Sequence, residues 1–134
     1  MSDEPVVLDA SAVLALLQGE SGAAAVASLL PRAVISAVNL AEIVAKLIDA
    51  GVPADAARTA LDALHLTVHS FDQDAAYATA ALRLSTRKAG LSLGDRACLA
   101  LAVRLAAPAV TADRGWTTIT TGLPDQLPEI MLIR

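Results

Sequence analysis

Short apolar segments rich in β-branched residues alternate along this chain with longer segments rich in Ala and Leu. Strands alternating with helices are typical of a parallel sheet covered by helices on both faces. A chain of 134 residues without linkers or internal repeats fits one such unit. We therefore expect residues 1–134 to form a single α/β domain with a central, mostly parallel sheet. The short segments predict strands at 5–9, 33–37, 66–71 and 109–112, with two weaker candidates at 117–120 and 130–133.

The longer segments have the composition and spacing of helices. In residues 38–50 the apolar side chains recur at spacings of three and four residues, and Gly51 and Pro53 end the helix. Residues 95–106 are so apolar that we expect this helix to be buried against the sheet. The full set of predicted helices is 11–17, 22–30, 38–50, 53–64, a long helix from Asp72 or Asp74 to 88, and 95–106.

Four acidic residues lie inside or next to apolar runs, where a solvated surface would not place them. Asp9 and Asp113 directly follow predicted strands, Asp95 begins a buried helix, and Glu42 lies near the start of another. Functional crevices in open α/β sheets lie beyond the carboxyl ends of the strands, so the four side chains are expected to converge there. Buried carboxylates cost several kcal/mol unless a cation or hydrogen bonds compensate them. The pattern therefore predicts a shared cation.

The chemistry of the four side chains limits which cation this is. A site made of carboxylate oxygens, without His or Cys, suits hard cations such as Mg²⁺ or Mn²⁺ and not zinc. Such an ion can activate water and stabilise the charges that develop in phosphodiester hydrolysis, so no protein nucleophile is required. Ser11, two residues after Asp9, is expected to support the site by bonding water or a substrate phosphate.

Each of these residues also has a simpler interpretation that the sequence leaves open. Asp9, Ser11 and Asp95 are suited to capping the helices that follow them. Glu42 can pair with Lys46 one helical turn later, and Asp113 is suited to a turn. Two basic residues, Arg96 and Arg114, each follow one of the acids. They are interpreted either as ion-pair partners in the folded state or as contacts to an RNA phosphate.

Composition restricts the environment and the partners. Hydrophobic residues make up 55% of the chain, yet no uncharged stretch approaches the ~20 residues of a spanning helix. The acidic N-terminus lacks the basic region of a secretory signal, so a cytoplasmic protein is expected. The apolar surplus favours an oligomer, a hetero-partner or both. A net charge of −4 argues against general electrostatic binding of nucleic acid but does not exclude binding by a local basic patch. The single cysteine, Cys98, is interpreted as a core residue.

Four segments in order resemble the PIN-domain ribonucleases, and specifically the VapC-type toxins of bacterial type II toxin–antitoxin systems. They are Val7-Leu8-Asp9-Ala10-Ser11-Ala12, Ser36-Ala37-Val38-Asn39-Leu40-Ala41-Glu42, Leu91-Ser92-Leu93-Gly94-Asp95-Arg96-Ala97 and Thr111-Ala112-Asp113-Arg114. A lone Asp-x-Ser is a weak signal, whereas the ordered set is specific and spans essentially the whole chain.

The resemblance implies a PIN-like three-layer fold and a Mg²⁺- or Mn²⁺-dependent endoribonuclease that cuts tRNA, rRNA or mRNA and blocks translation. It implies that Asp9, Glu42, Asp95 and Asp113 form the family's acidic quartet, with Asp9 and Asp95 the most direct metal ligands. Ser11 matches a small hydroxyl position, and Thr111 matches a residue that supports the last acid. The family also implies a homodimer and a VapB-type antitoxin whose tail enters the acidic crevice.

Two other enzyme classes that place an aspartate after a strand fit less well. A phosphoacceptor receiver domain needs an acidic pair after its first strand and a lysine after its last, and neither is present. A haloacid-dehalogenase-like phosphatase uses Asp-x-Asp, whereas Asp9 is followed by Ala10-Ser11. The remaining alternative is a PIN-like domain without catalysis that serves as an RNA- or protein-binding module.

Overall fold

A computed structural model describes residues 3–119 and 127–134 of the chain. In these residues five strands form one sheet in the order β3-β2-β1-β4-β5, and every neighbouring pair is parallel. This confirms the expected parallel sheet. The strands are β1 (Val6–Leu8), β2 (Ala33–Ser36), β3 (Thr67–His69), β4 (Ala109–Thr111) and β5 (Ile130–Leu132).

Helices connect the strands and cover the sheet. Two short 3₁₀ turns, Leu30–Arg32 and Arg114–Thr118, complete the described elements. In the parts of the chain that the structure covers, no helix is long and apolar enough to cross a membrane. The helices are α1 (Ala10–Leu17), α2 (Ala23–Leu29), α3 (Ala37–Asp49), α4 (Ala54–Asp62), α5 (Gln73–Ala81), α6 (Arg83–Thr86) and α7 (Leu93–Leu105).

The sheet is covered on both faces, which gives the three-layer α/β fold. Side chains alternate along a strand, and in β1 Val6 and Leu8 pack into one hydrophobic cluster while Val7 packs into the other. The first cluster includes residues of α1 and α3, and the second includes residues of α7. All three β1 side chains are fully buried, each contributing about 1.5–3 kcal/mol of hydrophobic stabilisation. The residue that follows β1 therefore lies at the end of the central, fully buried strand.

Two predicted elements differ from the structure, both at places where side-chain hydroxyls bond the nearby backbone. The long helix predicted up to residue 88 is interrupted at Leu82, whose carbonyl oxygen accepts hydrogen bonds from the hydroxyls of Ser85 and Thr86. The predicted strand at 117–120 is wrong for its first residues. Thr117 and Thr118 belong to a 3₁₀ turn, which their hydroxyls stabilise by donating to backbone carbonyls three residues earlier. Residue 120 lies outside the described residues.

Candidate active site

Asp9 lies at the carboxyl end of β1 and caps the N-terminus of α1. Its side chain is only 2% exposed. Oδ1 accepts a hydrogen bond from the backbone amide of Ala12 at 2.8 Å, which is the N-cap interaction. The hydroxyl of Ser11 lies 2.8 Å from Oδ1 and 2.9 Å from Oδ2, and the hydroxyl of Thr111 donates to Oδ2. The capping interpretation of Asp9 is therefore confirmed, and it coexists with a buried carboxylate.

Burial raises the pKa of Asp9 from 3.8 to about 6. Removal of the carboxylate from water is the largest cause, because it disfavours the charged form. Hydrogen bonds from Thr111, Ala12 and Ser11 oppose this rise, and the negative charge of Asp95 adds to it. The two hydroxyls and one backbone amide that bond Asp9 therefore do not fully compensate its charge, and a cation at this position would.

Asp95 is the third residue of α7, and it lies close enough to Asp9 to raise the pKa of that carboxyl. The helix begins at Leu93, two residues earlier than predicted, because Ser92 and Asp95 form a capping box. Asp95 N donates to Ser92 Oγ, and Ser92 N donates to Asp95 Oδ2, both at 3.1 Å. The carboxylate is half-buried. Only Oδ2 has a hydrogen bond in the described part of the chain, which leaves Oδ1 available to a ligand.

Glu42 lies in the second turn of α3 and contacts the first turn of α7. Its Oε1 accepts a hydrogen bond from Asn39 Nδ2 at 3.3 Å. A Cβ added at Gly94, the residue before Asp95, would lie 2.5 Å from Oε1 of Glu42. The predicted pair with Lys46 is also present, at 4.0 Å, but Lys46 is more than half exposed and such pairs contribute little. Packing against Gly94 therefore determines where this half-buried carboxylate lies.

Asp113 follows β4 but differs from the expectation of a buried acid, because it is exposed. Its Oδ1 accepts a hydrogen bond from the backbone amide of Gly115 at 2.8 Å and caps the 3₁₀ turn. Its own backbone amide donates to Thr111 Oγ1 at 3.0 Å. The turn interpretation is thus confirmed for the carboxylate. Thr111 supports this residue as expected and also bonds Asp9, which the sequence did not indicate.

Two residues and one contact of this site were missed by the sequence patterns. Asn39 is completely buried, and its Nδ2 bonds both Glu42 and the carbonyl oxygen of Gly94, the latter at 3.0 Å. The available signal for Asn39 was its amide side chain inside an apolar helix, three residues before the acid Glu42. Gly94 is the second, because it accommodates Glu42. The missed contact is the hydrogen bond from Thr111, itself an expected supporting residue, to Asp9.

Cys98 is a core residue, as predicted, and it lies close to the acids. The thiol is fully buried. Burial is the main reason that its pKa is raised well above the ordinary value of a thiol, and the charges of Asp9, Asp95 and Glu42 raise it further. Three of the four predicted acids, Asp9, Asp95 and Glu42, therefore lie near enough to the Cys98 thiol to raise its pKa.

The two arginines that follow acids donate to backbone carbonyls. Arg96 Nη1 donates to the carbonyl oxygen of Thr79, and Arg114 Nε donates to that of Arg134, both at 3.3 Å. Neither makes an ion pair within residues 3–119 and 127–134. The ion-pair interpretation is therefore not supported by the described residues, and the RNA-phosphate contact stays a prediction.

The donors at this edge fit a hard divalent cation in kind. They are carboxylate and hydroxyl oxygens, and Mg²⁺ in proteins is commonly held by one or two carboxylates together with water and substrate phosphates. Asp9 and Asp95 supply two such carboxylates. Among the described residues, no group of three or more His, Cys, Asp or Glu side chains is arranged to hold a metal ion. The argument for a divalent cation here therefore rests on the two carboxylates of Asp9 and Asp95 and on the incompletely compensated charge of Asp9.

Comparison with known proteins assigns the chain to a family. The family model "PIN domain" matches residues 6–120. A toxin–antitoxin complex from Klebsiella pneumoniae contains a chain with 21% identity and a TM-score of 0.70, covering 96% of this chain and 98% of that one. DNA-bound VapBC from Salmonella typhimurium gives 16% identity, a TM-score of 0.71, and coverage of 98% and 99%.

A third structure has slightly higher identity. VapBC-5 from Mycobacterium tuberculosis is 25% identical to this chain, with a TM-score of 0.62 and coverage of 96% and 98%. The comparison with curated proteins gave no significant match. The family model covers most of the chain, and these structures share its fold over nearly their whole length. The chain therefore belongs to the PIN domain family.

Proposed function

We propose that this protein is a metal-dependent endoribonuclease and the toxin of a type II toxin–antitoxin system. In this proposal it hydrolyses phosphodiester bonds of tRNA, rRNA or mRNA in the cytoplasm and so inhibits translation. Membership of the PIN domain family supports nuclease chemistry. The toxin assignment is supported by the similar structures, which are toxin–antitoxin and VapBC complexes.

The observation that carries the proposal is the pair Asp9 and Asp95 at the carboxyl edge of the central strand. Asp9 is almost completely buried, yet its pKa of about 6 leaves it mostly ionised at neutral pH. The charge of Asp95 makes that ionisation more costly. A fold that concentrates uncompensated negative charge at a strand end is one that gains stability when it binds a cation.

Each residue of the site has a proposed role. Asp9 and Asp95 would hold Mg²⁺ or Mn²⁺, and Glu42 and Asp113 would extend the acidic edge toward substrate or a second ion. A bound divalent cation supplies Lewis-acid stabilisation of the phosphodiester and lowers the pKa of attacking water. Ser11 and Thr111 fix the orientation of the Asp9 carboxylate through their hydroxyls. Arg96 and Arg114 are the proposed phosphate contacts.

The proposed partners are a VapB-type antitoxin and a second copy of the chain. Tyr77 and Leu84 on α5 and α6 are 69% and 80% exposed. Large apolar side chains that are this exposed favour burial against another chain. The identity of the similar structures as toxin–antitoxin complexes supports the antitoxin as one occupant of such surfaces.

The test is cleavage of purified total RNA by the antitoxin-free protein with Mg²⁺ or Mn²⁺. The Asp95→Asn variant is expected to lose discrete fragments, whereas Asp49→Asn, an equal charge change at the exposed end of α3, is expected to retain them. RNA or protein binding without cleavage by the folded wild type, with either metal, would overturn the nuclease and favour the non-catalytic binding module.

A further inference from the structure

A cavity of about 260 Å³ lies between α5, α7 and the carboxyl ends of β2 and β3. Its lining includes Ser36 and His69, the last residues of those two strands, which are partners in the β2–β3 register. The β1–β2 register pairs Val7 with Val34, so two residues further on Asp9 is level with Ser36. Neighbouring strands are about 4.8 Å apart. The cavity therefore opens on the same edge as the acids, beginning one strand away from Asp9.

One residue that lines the cavity, Thr79, has a buried polar atom without a partner among the described residues. Thr79 of α5 is only 1% exposed, and among the described residues its hydroxyl oxygen has no hydrogen-bond partner. A buried hydroxyl without a partner costs free energy unless a ligand supplies one. Small side chains, Ala97 and Ala100 of α7, form the adjacent wall and keep the space open. The cavity is therefore mostly apolar. The Thr79 hydroxyl oxygen beside it has almost no accessible surface as the side chain stands, so a ligand in the cavity reaches it only when the side chain turns about χ1.

The rim carries side chains suited to a flat, polar ring. Of the lining residues, Phe71 is half-buried, and Asp74 and Arg104 are exposed. Unstacked RNA bases are recognised by stacking on aromatic rings or guanidinium planes and by hydrogen bonds to their edges. A carboxylate accepts from a base amino group, and a hydroxyl donates or accepts. The volume lies just below the usual range of about 300–1,000 Å³ for small-molecule sites, which suits a single ring system.

We propose that this cavity binds one nucleobase of the RNA, beside the phosphodiester that is cut, and that it sets the base preference at that position. The inference rests on the proposed ribonuclease function. It concerns a single base in one cavity, so it does not require the extended stacking surface for which this chain has too few aromatic residues.

The test fills the cavity from its exposed side. Ala78 lines the cavity, and Ala80 lies on the same helix, exposed, outside the lining. Ala78→Phe and Ala80→Phe have the same intrinsic helical cost, so they form a matched pair. Affinity is measured by fluorescence anisotropy with short labelled oligomers of rA, rC, rG and rU, and base preference by sequencing the ends cut from a randomised RNA pool.

Ala78→Phe is expected to weaken binding of the preferred oligomer by roughly 5- to 150-fold, the range for loss of one stacked base. It is also expected to flatten the base preference next to the cut, while Ala80→Phe leaves both unchanged. Equal affinity and equal preference in Ala78→Phe and wild type would overturn the proposal.

Thr79→Val tests the unpartnered hydroxyl without changing the shape of the side chain. A merely structural Thr79 would lower the melting temperature when replaced, and RNA affinity would follow only through unfolding. The base-binding role predicts an unchanged or higher melting temperature together with a severalfold loss of affinity for one of the four oligomers.

Failure of this proposal and failure of the ribonuclease proposal are separable. If the wild type cuts RNA, and Ala78→Phe and Thr79→Val leave RNA affinity and base preference unchanged, the base site alone is overturned. A wild type that binds RNA with the predicted losses in the variants, yet never cuts, supports the base site and overturns the ribonuclease.

Discussion

Thr111 on β4 donates its hydroxyl proton to Oδ2 of Asp9 at the end of β1, which joins two neighbouring strands at their carboxyl ends. The hydroxyl oxygen of Thr111 in turn accepts a hydrogen bond from the backbone amide of Asp113 at 3.0 Å. One hydroxyl therefore links the first and the last of the four acids. The link is supported by Ser11, whose oxygen accepts the backbone amide of Ala112 at 2.9 Å.

Replacing this hydroxyl should weaken both the fold and the site. Thr111→Val removes the donor to Asp9 and the acceptor for Asp113, so we expect a loss of about 1–3 kcal/mol in the free energy of unfolding. Because the hydrogen bond from Thr111 lowers the pKa of Asp9, that pKa should rise above about 6 and RNA cleavage near neutral pH should fall. Denaturant titration and cleavage assays measure the two effects. Thr86→Val, at an equally buried threonine away from the site, should cost stability without a specific loss of cleavage.

Asp9→Asn should stabilise the metal-free protein at neutral pH. The pKa of Asp9 is about 6 in the fold and 3.8 without it, so the unfolded chain gives up its proton first and stability falls as pH rises between these values. The difference corresponds to roughly 3 kcal/mol above pH 6. An amide keeps an acceptor for Ala12 and avoids the buried charge. We expect Asp9→Asn to gain up to about 3 kcal/mol at pH 7.5 in EDTA, with the gain disappearing near pH 4. A variant less stable than wild type at pH 7.5 would contradict this.

Affinity for the metal ion should depend on the ionisation of the Asp9 carboxyl. Binding at Asp9 requires the carboxylate, so affinity for Mn²⁺ should fall about tenfold per pH unit below pH 6 and level off above it. Calorimetric titrations between pH 5 and 8 check this. Affinity that stays constant across that range would show that Asp9 does not bind the ion or that its pKa is not raised.

Gly94→Ala should displace the carboxylate of Glu42 without unfolding the protein. The added Cβ would lie 2.5 Å from Oε1 of Glu42, at the far end of a flexible side chain that can turn away. Alanine is the better helix former by up to about 1 kcal/mol, so little stability should be lost. Displacing Glu42 should reduce RNA cleavage by roughly tenfold or more. Leu93→Ala, an exposed change in the same turn of α7, is the control that should retain activity. Unchanged cleavage in Gly94→Ala would show that Glu42 has no part in the reaction.

The sequence predicted the elements whose signals are local. Alternating strands and helices gave the parallel sheet, and Asp9 directly after a buried strand indicated its place at the carboxyl edge. The capping box of Asp95 was also a local pattern, Ser92 followed three residues later by an acid, but the helix was predicted to start two residues too late.

The remaining features depend on packing between distant segments. Glu42 lies where Gly94 leaves space, and Asn39 bonds the carbonyl oxygen of Gly94 across the contact between α3 and α7. No spacing along the chain encodes such a contact. Exposure of Asp113 was missed for another reason, since the amide of Gly115 offers its carboxylate a local partner that competes with burial.

The central claim is that Asp9 and Asp95 hold the divalent cation with which RNA is cut. The most direct measurement is Mn²⁺ binding and RNA cleavage followed in the same titration, for wild type, Asp95→Asn and Asp49→Asn. Cleavage by wild type and Asp49→Asn should rise in proportion to Mn²⁺ occupancy. Asp95→Asn should bind Mn²⁺ more weakly and cleave at least about a hundredfold more slowly, since the ion contributes several kcal/mol to catalysis. Cleavage that persists undiminished in EDTA, or in Asp95→Asn, would contradict the claim.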